Sequence, residues 1–269
     1  MTGPQGAVFA FGENWQRFLG ALDDIAIANA QRSLERMLGV ASLAGQSFLD
    51  IGCGSGVFSL AARRLGARVH SFDSDPQSVA CAQTLRQRFF PQDAQWSIDH
   101  ASVLDPAYLA RLGVFDIVYS WGVLHHTGAL WRALDAAAGR VRPGGSLCIA
   151  IYNDQGRSSR RWAAVKRSYN RTKLLRPLIL LGGFLRLWGP TLLRDGLSGN
   201  PLASWRRYGA DRGMSPWRDV VDWIGGWPFE VARPEEVFDH LRNRGFTLMQ
   251  LRTCGGGHGC NEFVFRKLS

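Results

Sequence analysis

The sequence predicts an α/β protein built on a doubly wound, mostly parallel sheet. Three observations predict it. Between positions 47 and 153, short apolar runs of strand length alternate with segments whose apolar residues recur at helical spacing, as a parallel sheet requires. The stretch FLDIGCGSG (48–56) joins the first such strand to the first such helix through three alternating glycines. The next strand ends in an acid, Asp73.

Taken in order, residues 11–43 read as a loop followed by a helix, with apolar residues three and four apart. Strands are expected at 47–51, 68–72, 95–100, 115–119 and 145–152, and the first crossover helix at 57–65 (VFSLAARRL), where arginines face away from the apolar side. The alternation then breaks. Residues 154–216 are long, basic and rich in tryptophan, and are interrupted by Pro177, Pro190 and Pro201. A helix returns at 234–244, with acids at its start and bases at its end to match the helix dipole. Strands at 246–254 and 261–267, joined by GGGHG, form an antiparallel hairpin at the sheet edge and bring the expected total to seven. The resulting organisation is a helical N-terminal part (1–46), a core (47–153), a helical insertion after the fifth strand (154–216) and a C-terminal completion of the sheet (217–269). No internal repeat is visible.

With 269 residues, 46% of them hydrophobic and 11% aromatic, the chain suits a large globular domain and excludes a disordered one. Its five cysteines (Cys53, Cys81, Cys148, Cys254, Cys260) are odd in number and scattered, and no basic start leads into an apolar run. Reduced thiols in a cytoplasmic protein are expected. The net charge of +10 is concentrated: residues 157–213 hold 13 Lys and Arg against two acids, a balance of +11, and the rest of the chain sums to −1. The basic character therefore belongs to the insertion.

Glycine permits positive φ and lets a ligand lie against the backbone. A dinucleotide loop uses G-x-G-x-x-G. Here Gly52, Gly54 and Gly56 give G-x-G-x-G, and Val57 occupies the place of the third dinucleotide glycine. The spacing favours a nucleoside with a small zwitterionic tail over a pyrophosphate. Asp73 is placed to accept hydrogen bonds from both hydroxyls of a ribose.

These segments resemble the class I S-adenosylmethionine-dependent methyltransferases. Four motifs carry the likeness in the family's order: LDIGCGSG (49–56), VHSFDSD (69–75), FDIVYSWGVLHHTG (115–128) and VRPGGSLCIAIYN (141–153). The nearest branch is the ubiquinone- and menaquinone-pathway enzymes. The resemblance implies a Rossmann-like sheet and S-adenosyl-L-methionine as cofactor, released as S-adenosyl-L-homocysteine. It implies that Gly52, Gly54 and Gly56 form the turn against the methionyl and ribose parts of the cofactor, and that Asp50 and Ser55 bind the cofactor with them. Asp73, followed by Ser74, would bind the ribose, and Ser102 and Val103 would flank the adenine. Many relatives carry an acid at Ser102, which leaves Asp105 as a second candidate for the adenine amino group. Trp121 would lie along the cofactor. Arg32 matches an arginine for the cofactor carboxylate, with a solvated helix charge as the alternative. Asn14 and Trp15 stand where relatives carry a lid, although an aromatic there also serves as a packing anchor.

Methyl transfer from a sulfonium is an in-line displacement, in which the enzyme chiefly aligns the reactants. A phenolic acceptor with pKa about 10 must also lose a proton, for which a histidine within reach is the ordinary base. His125 and His126 follow the fourth strand at its carboxyl end, with His126 preferred as the base and helix bracing as the alternative role. Tyr152, Asn153, His258 and Asn261 are further candidates for the acceptor side. Cys254, His258 and Cys260 lack the second ligand pair of a zinc site, so no metal is expected.

The insertion contains an apolar run at 174–193, broken by Arg176, Pro177, Arg186 and Pro190, which is too interrupted to span a bilayer. Apolar and aromatic residues beside a basic face suit an anionic membrane surface or a lid over the active site. Nucleic acid would use the same charge, but no Asp/Asn-Pro-Pro-aromatic motif and no Pro-Cys pair follows the fourth strand. The expected partner is a small-molecule acceptor, most simply the oxygen of a phenol or quinol. A lipid-linked or glycan acceptor, RNA, and a cofactor-binding module without catalysis are the alternatives.

Overall fold

The computed structural model describes residues 24–212 and 216–269. Asn14 and Trp15 lie outside them. One sheet contains β1 (Ser47–Ile51), β2 (Arg68–Asp73), β3 (Trp96–His100), β4 (Phe115–Trp121), β5 (Val141–Tyr152), β6 (Phe246–Arg252) and β7 (Cys260–Lys267). Their order is β3-β2-β1-β4-β5-β7-β6. The first five strands pair in parallel, and β7 runs antiparallel to both β5 and β6. The seven-stranded, mostly parallel sheet with a C-terminal hairpin is thus as the sequence predicts. Strand order reverses between β1 and β4, which opens a crevice beyond their carboxyl ends.

The core helices are α1 (Asp24–Leu38), α2 (Val57–Arg64), α3 (Pro76–Phe89), α4 (Pro106–Leu112) and α5 (Leu130–Ala138). α3 and α4 start alike. Asp75 accepts the backbone N–H of Gln77 at 2.9 Å, and Asp105 accepts those of Ala107 and Tyr108 at 3.0 and 3.1 Å. A proline follows each cap, at the one helical position where a missing N–H leaves no bond unmade.

β1 is central and buried on both faces. Leu49 and Ile51 join Leu124, Leu134 and Leu241 in one core, while Phe48 joins Ile27, Leu34 and Leu60 in the other. Alternation with a period of two sends neighbours to opposite faces, as expected for a covered parallel strand.

After β5 come α6 (Arg157–Arg171), α7 (Arg176–Leu197), α8 (Ala203–Arg212) and α9 (Pro216–Gly225), and α10 (Pro234–Arg242) returns the chain to the sheet. α9, which the sequence pattern groups with the C-terminal part, packs on α6 and α7. Together they enclose a small core of Tyr169, Val220 and Ile224, flanked by Trp162, Phe184, Trp188 and Trp223. α7 meets α9 at Gly183, where any Cβ would strike the Ile224 side chain. The excursion also closes on itself. Ala232 N–H donates to Tyr152 O at 3.0 Å and Asp154 N–H donates to Ala232 O at 3.2 Å.

Candidate active site

A cavity of about 640 Å³ opens at the carboxyl ends of β1, β2 and β4, within the size range of small-molecule sites. The glycine turn forms its floor. Gly52 and Cys53 donate to Phe72 O at 2.8 and 3.1 Å, which hangs the turn from the end of β2. Gly52 has φ 74°, and a Cβ on it would collide with Val123, so only glycine fits there.

Asp73 serves the turn and the cavity together. Its Oδ2 accepts Gly54 N–H and its Oδ1 accepts Asp75 N–H, both at 2.9 Å. Ser74 N–H also donates to the carboxylate, which keeps acceptor capacity beyond these three bonds on a residue that lines the cavity. Burial raises its pKa, and the backbone donors oppose the rise.

Gly52, Gly54, Asp73, Ser74, Ser102, Val103 and Trp121 all line this cavity, together with His126 and Tyr152. The other expected cofactor residues lie elsewhere. Asp50 falls on the α2 side of β1, fully enclosed, where Ser59 donates to it at 2.5 Å. Burial raises its pKa to about 7. Ser55 is buried within the turn and Gly56, with φ 80°, is the N-cap of α2. These three shape the turn from beneath. Arg32 is exposed and donates to Asn29 at 2.6 Å, away from the cavity lining. Asp105 is occupied as the cap of α4 and does not line the cavity either.

The two histidines sit on a short 3-10 turn, Leu124–His126, and are placed differently. His126 reaches the cavity. Its Nδ1 lies 2.7 Å from the carbonyl oxygen of Pro228, which only accepts, so Nδ1 carries the proton and Nε2 carries the lone pair. Burial lowers its pKa to about 4, against the pull of the Pro228 bond. The ring is therefore neutral at pH 7 and able to receive a proton. His125 is fully buried and outside the lining, packed on Tyr152 with ring centroids 3.9 Å apart. Burial holds its pKa well below the usual value. Its geometry suits bracing of the wall.

On the acceptor side, Tyr152 lines the cavity and packs against Trp223 and Phe229. Asn261 is buried, donates to Asn153 at 3.0 Å and accepts Cys254 N–H at 3.2 Å, tying the hairpin to the end of β5. His258 packs against Trp162 and Trp223, outside the lining. Asp222, from α9, also lines the cavity. No sequence signal marks it, because it comes from a helix some seventy residues beyond β5. Among the described residues, no group of three or more His, Cys, Asp or Glu is placed to hold a metal ion.

The cradle that a Cβ at Gly52 would fill and the open acceptor positions of Asp73 both fit the nucleoside end of S-adenosylmethionine. Comparison with known proteins agrees. The family described as "Methyltransferase domain" matches residues 23–177. A ubiquinone biosynthesis O-methyltransferase of Methylobacterium sp. (strain 4-46) is 33% identical over 121 residues, which cover 45% of this chain and 47% of that protein. A tRNA U34 carboxymethyltransferase of Methylococcus capsulatus is 34% identical over 122 residues, covering 45% and 36%. The match thus spans about half the length of these relatives or less. A magnesium protoporphyrin IX methyltransferase from Synechocystis PCC 6803, solved with bound SAH, shares the fold with a TM-score of 0.56 at 15% identity, over 95% of this chain and 93% of that one. With the family match covering more than half of its length, the chain belongs to the methyltransferase domain family.

Proposed function

We propose that this protein transfers a methyl group from S-adenosylmethionine to an oxygen of a small phenol- or quinol-type acceptor. The observation that carries this reading is His126, an imidazole neutral at pH 7 that lines the cavity also holding the glycine turn and Asp73. The bound cofactor supplies an electrophilic methyl group on a sulfonium.

Asp73 and the turn fix the nucleoside, and Trp121 and Val103 wall it in. One proton must leave the acceptor oxygen as its bond to the methyl carbon forms and the carbon–sulfur bond breaks onto sulfur. A base of pKa about 4 does not deprotonate a resting phenol. It takes the proton late, once the forming bond has made the oxygen far more acidic, and passes it on to water. Oxygen acceptors need such a group in the transition state. The relatives named as ubiquinone biosynthesis O-methyltransferases support an oxygen acceptor.

A second element of the proposal concerns place. Among the described residues no helix is long and apolar enough to cross a membrane. α7 nevertheless presents Leu178, Leu181 and Leu185 to solvent, 67, 55 and 58% exposed, at helical spacing along one face. They belong to the segment whose charge balance is +11. That combination supports a cytoplasmic enzyme that rests on an anionic membrane surface and draws an apolar acceptor from it.

The purified protein should turn over quinol or phenol acceptors, with formation of S-adenosylhomocysteine as the readout. Activity only on amines, thiols or RNA would remove the oxygen reading, and cofactor binding without transfer to any acceptor would leave a binding module.

A further inference from the structure

Lys166 lies on the inner face of α6 with no exposed surface. Its ammonium nitrogen has no hydrogen-bond partner among the described residues, and neither has the indole N–H of Trp223. The two are neighbours: Nζ stands 4.3 Å from the Trp223 ring centroid and 4.7 Å from that of Phe229. The ring faces offset part of the cost of an enclosed cation. They do not replace a hydrogen-bond acceptor, and buried donors are rarely left without one. Two adjacent donors with nothing to accept from them define what is missing: oxygen atoms carrying negative charge.

The pair stands at the acceptor side of the cavity. Tyr152, a lining residue, has its ring 5.3 Å from that of Trp223 and 5.5 Å from that of Phe229. The donors are therefore separated from the cavity by a single ring. Asp222 precedes Trp223 and lines the cavity itself, so an anion has to pass it and lie on the Trp223 side. The other ionisable groups around the cluster are Asp219 and Cys260, which with Asp222 act on Tyr152, His125 and His126 across Tyr152, His258 and, beyond His258, Arg186. Burial holds the Lys166 pKa down to about 7, so an arriving anion restores its full charge.

We propose that Lys166 and Trp223 form an anion-recognition subsite, and that the methyl acceptor is an aromatic compound bearing a carboxylate. The carboxylate receives the ammonium and the indole N–H when the Trp223 ring turns towards the cavity. Stacking against Tyr152 and Phe229 holds the aromatic body. The subsite rests on the methyltransferase reading of the cavity and names its substrate class.

The test uses the full chain saturated with S-adenosylhomocysteine, titrated with benzoate and with benzamide, its neutral counterpart of similar shape, while tryptophan fluorescence is followed. Benzoate is expected to bind at least ten times more tightly than benzamide. Lys166→Met removes the charge at similar volume. It should reduce benzoate affinity to the benzamide level, leave S-adenosylhomocysteine affinity within twofold and not lower the melting temperature. Trp223→Phe, which keeps an aromatic ring and deletes the donor, should weaken benzoate several-fold.

Equal affinity for the two probes, no saturable benzoate binding, or unchanged benzoate affinity in Lys166→Met overturns the proposal. The last result with a lowered melting temperature would make Lys166 a structural residue. Tighter binding of inorganic phosphate than of benzoate overturns the carboxylate in favour of a phosphorylated compound. Failure of the wild type to bind S-adenosylhomocysteine is a different result. It counts against the cofactor reading, and benzoate discrimination measured in that protein still decides the subsite.

Discussion

In the proposed reaction His126 and Asp73 serve different halves, and their substitution would separate those halves. Asp73→Ala removes the proposed ribose acceptor and also the group that holds Gly54 N–H. Cofactor binding should weaken by about 1.5–3 kcal/mol, the range for hydrogen bonds to a charged group, as measured by calorimetry. NAD binding by the wild type in the same experiment would contradict the fit of the turn. His126→Ala should lower turnover by roughly 10²–10⁴ with cofactor affinity nearly unchanged. A stable variant with full rate would make the ring structural. Because burial sets the His126 pKa near 4, the acid limb of the turnover profile should lie near that value and well below the ordinary 6.5. Stability follows the same shift. The unfolded chain binds its proton near 6.5 and the folded one near 4. The stabilisation is complete above 6.5 and is lost as pH falls from 6.5 to 4, on the order of 3 kcal/mol for this group. Asp50, whose pKa burial raises to about 7, titrates in the same window with the opposite sign. Denaturant titrations of the wild type and of His126→Ala are therefore compared across it, and an identical pH dependence in the two would contradict the burial of His126.

At the scale of elements, the close approach of α7 to α9 gives a local test. Gly183→Val places a branched side chain against Ile224 and should cost about 1–3 kcal/mol, as overpacking does. Hydrogen exchange should rise in the insertion helices while the sheet and cofactor binding stay intact. Equal loosening of the sheet would show that insertion and sheet unfold as one unit. The same elements show what was legible in the sequence. β1, the glycine turn and Asp73 were legible because a buried strand, positive φ and a terminal acid each leave a local mark. β4 and β5 run longer than their apolar cores, since pairing carries Trp121 and the stretch from Val141 to Gly145 into the sheet. His125 and His126 are indistinguishable as neighbours in sequence, and only the 3-10 turn sends one to the cavity and the other behind it. Lys166 reads as one more base in a basic run, but the helical period turns it inward while Arg160, Arg161 and Arg167 face water. Leu180 belongs to the same apolar run as Leu178, yet it packs into the insertion's core and Leu178 does not.

For the molecule as a whole, the proposed membrane contact rests on the contrast between +11 in the insertion and −1 elsewhere. Bases near an anionic surface contribute about 1 kcal/mol each, and insertion of the exposed leucines would make such an attachment durable. Co-sedimentation with vesicles should rise with anionic lipid and fall with salt, and Leu178→Asp should reduce it without lowering turnover of a soluble acceptor. Equal binding to neutral vesicles would remove the electrostatic part, and no binding would leave the insertion as a lid alone. A last consequence follows from the paired hydrogen bonds among Tyr152, Asp154 and Ala232. The excursion leaves the sheet and rejoins it at one point, so its length hardly burdens the rest: doubling a closed loop costs only about 0.6 kcal/mol in chain entropy. Evolution, or a protein engineer, is therefore free to graft a different excursion between those two anchor points. The methyl donor's half of the enzyme would be inherited unchanged while the choice of acceptor is rewritten.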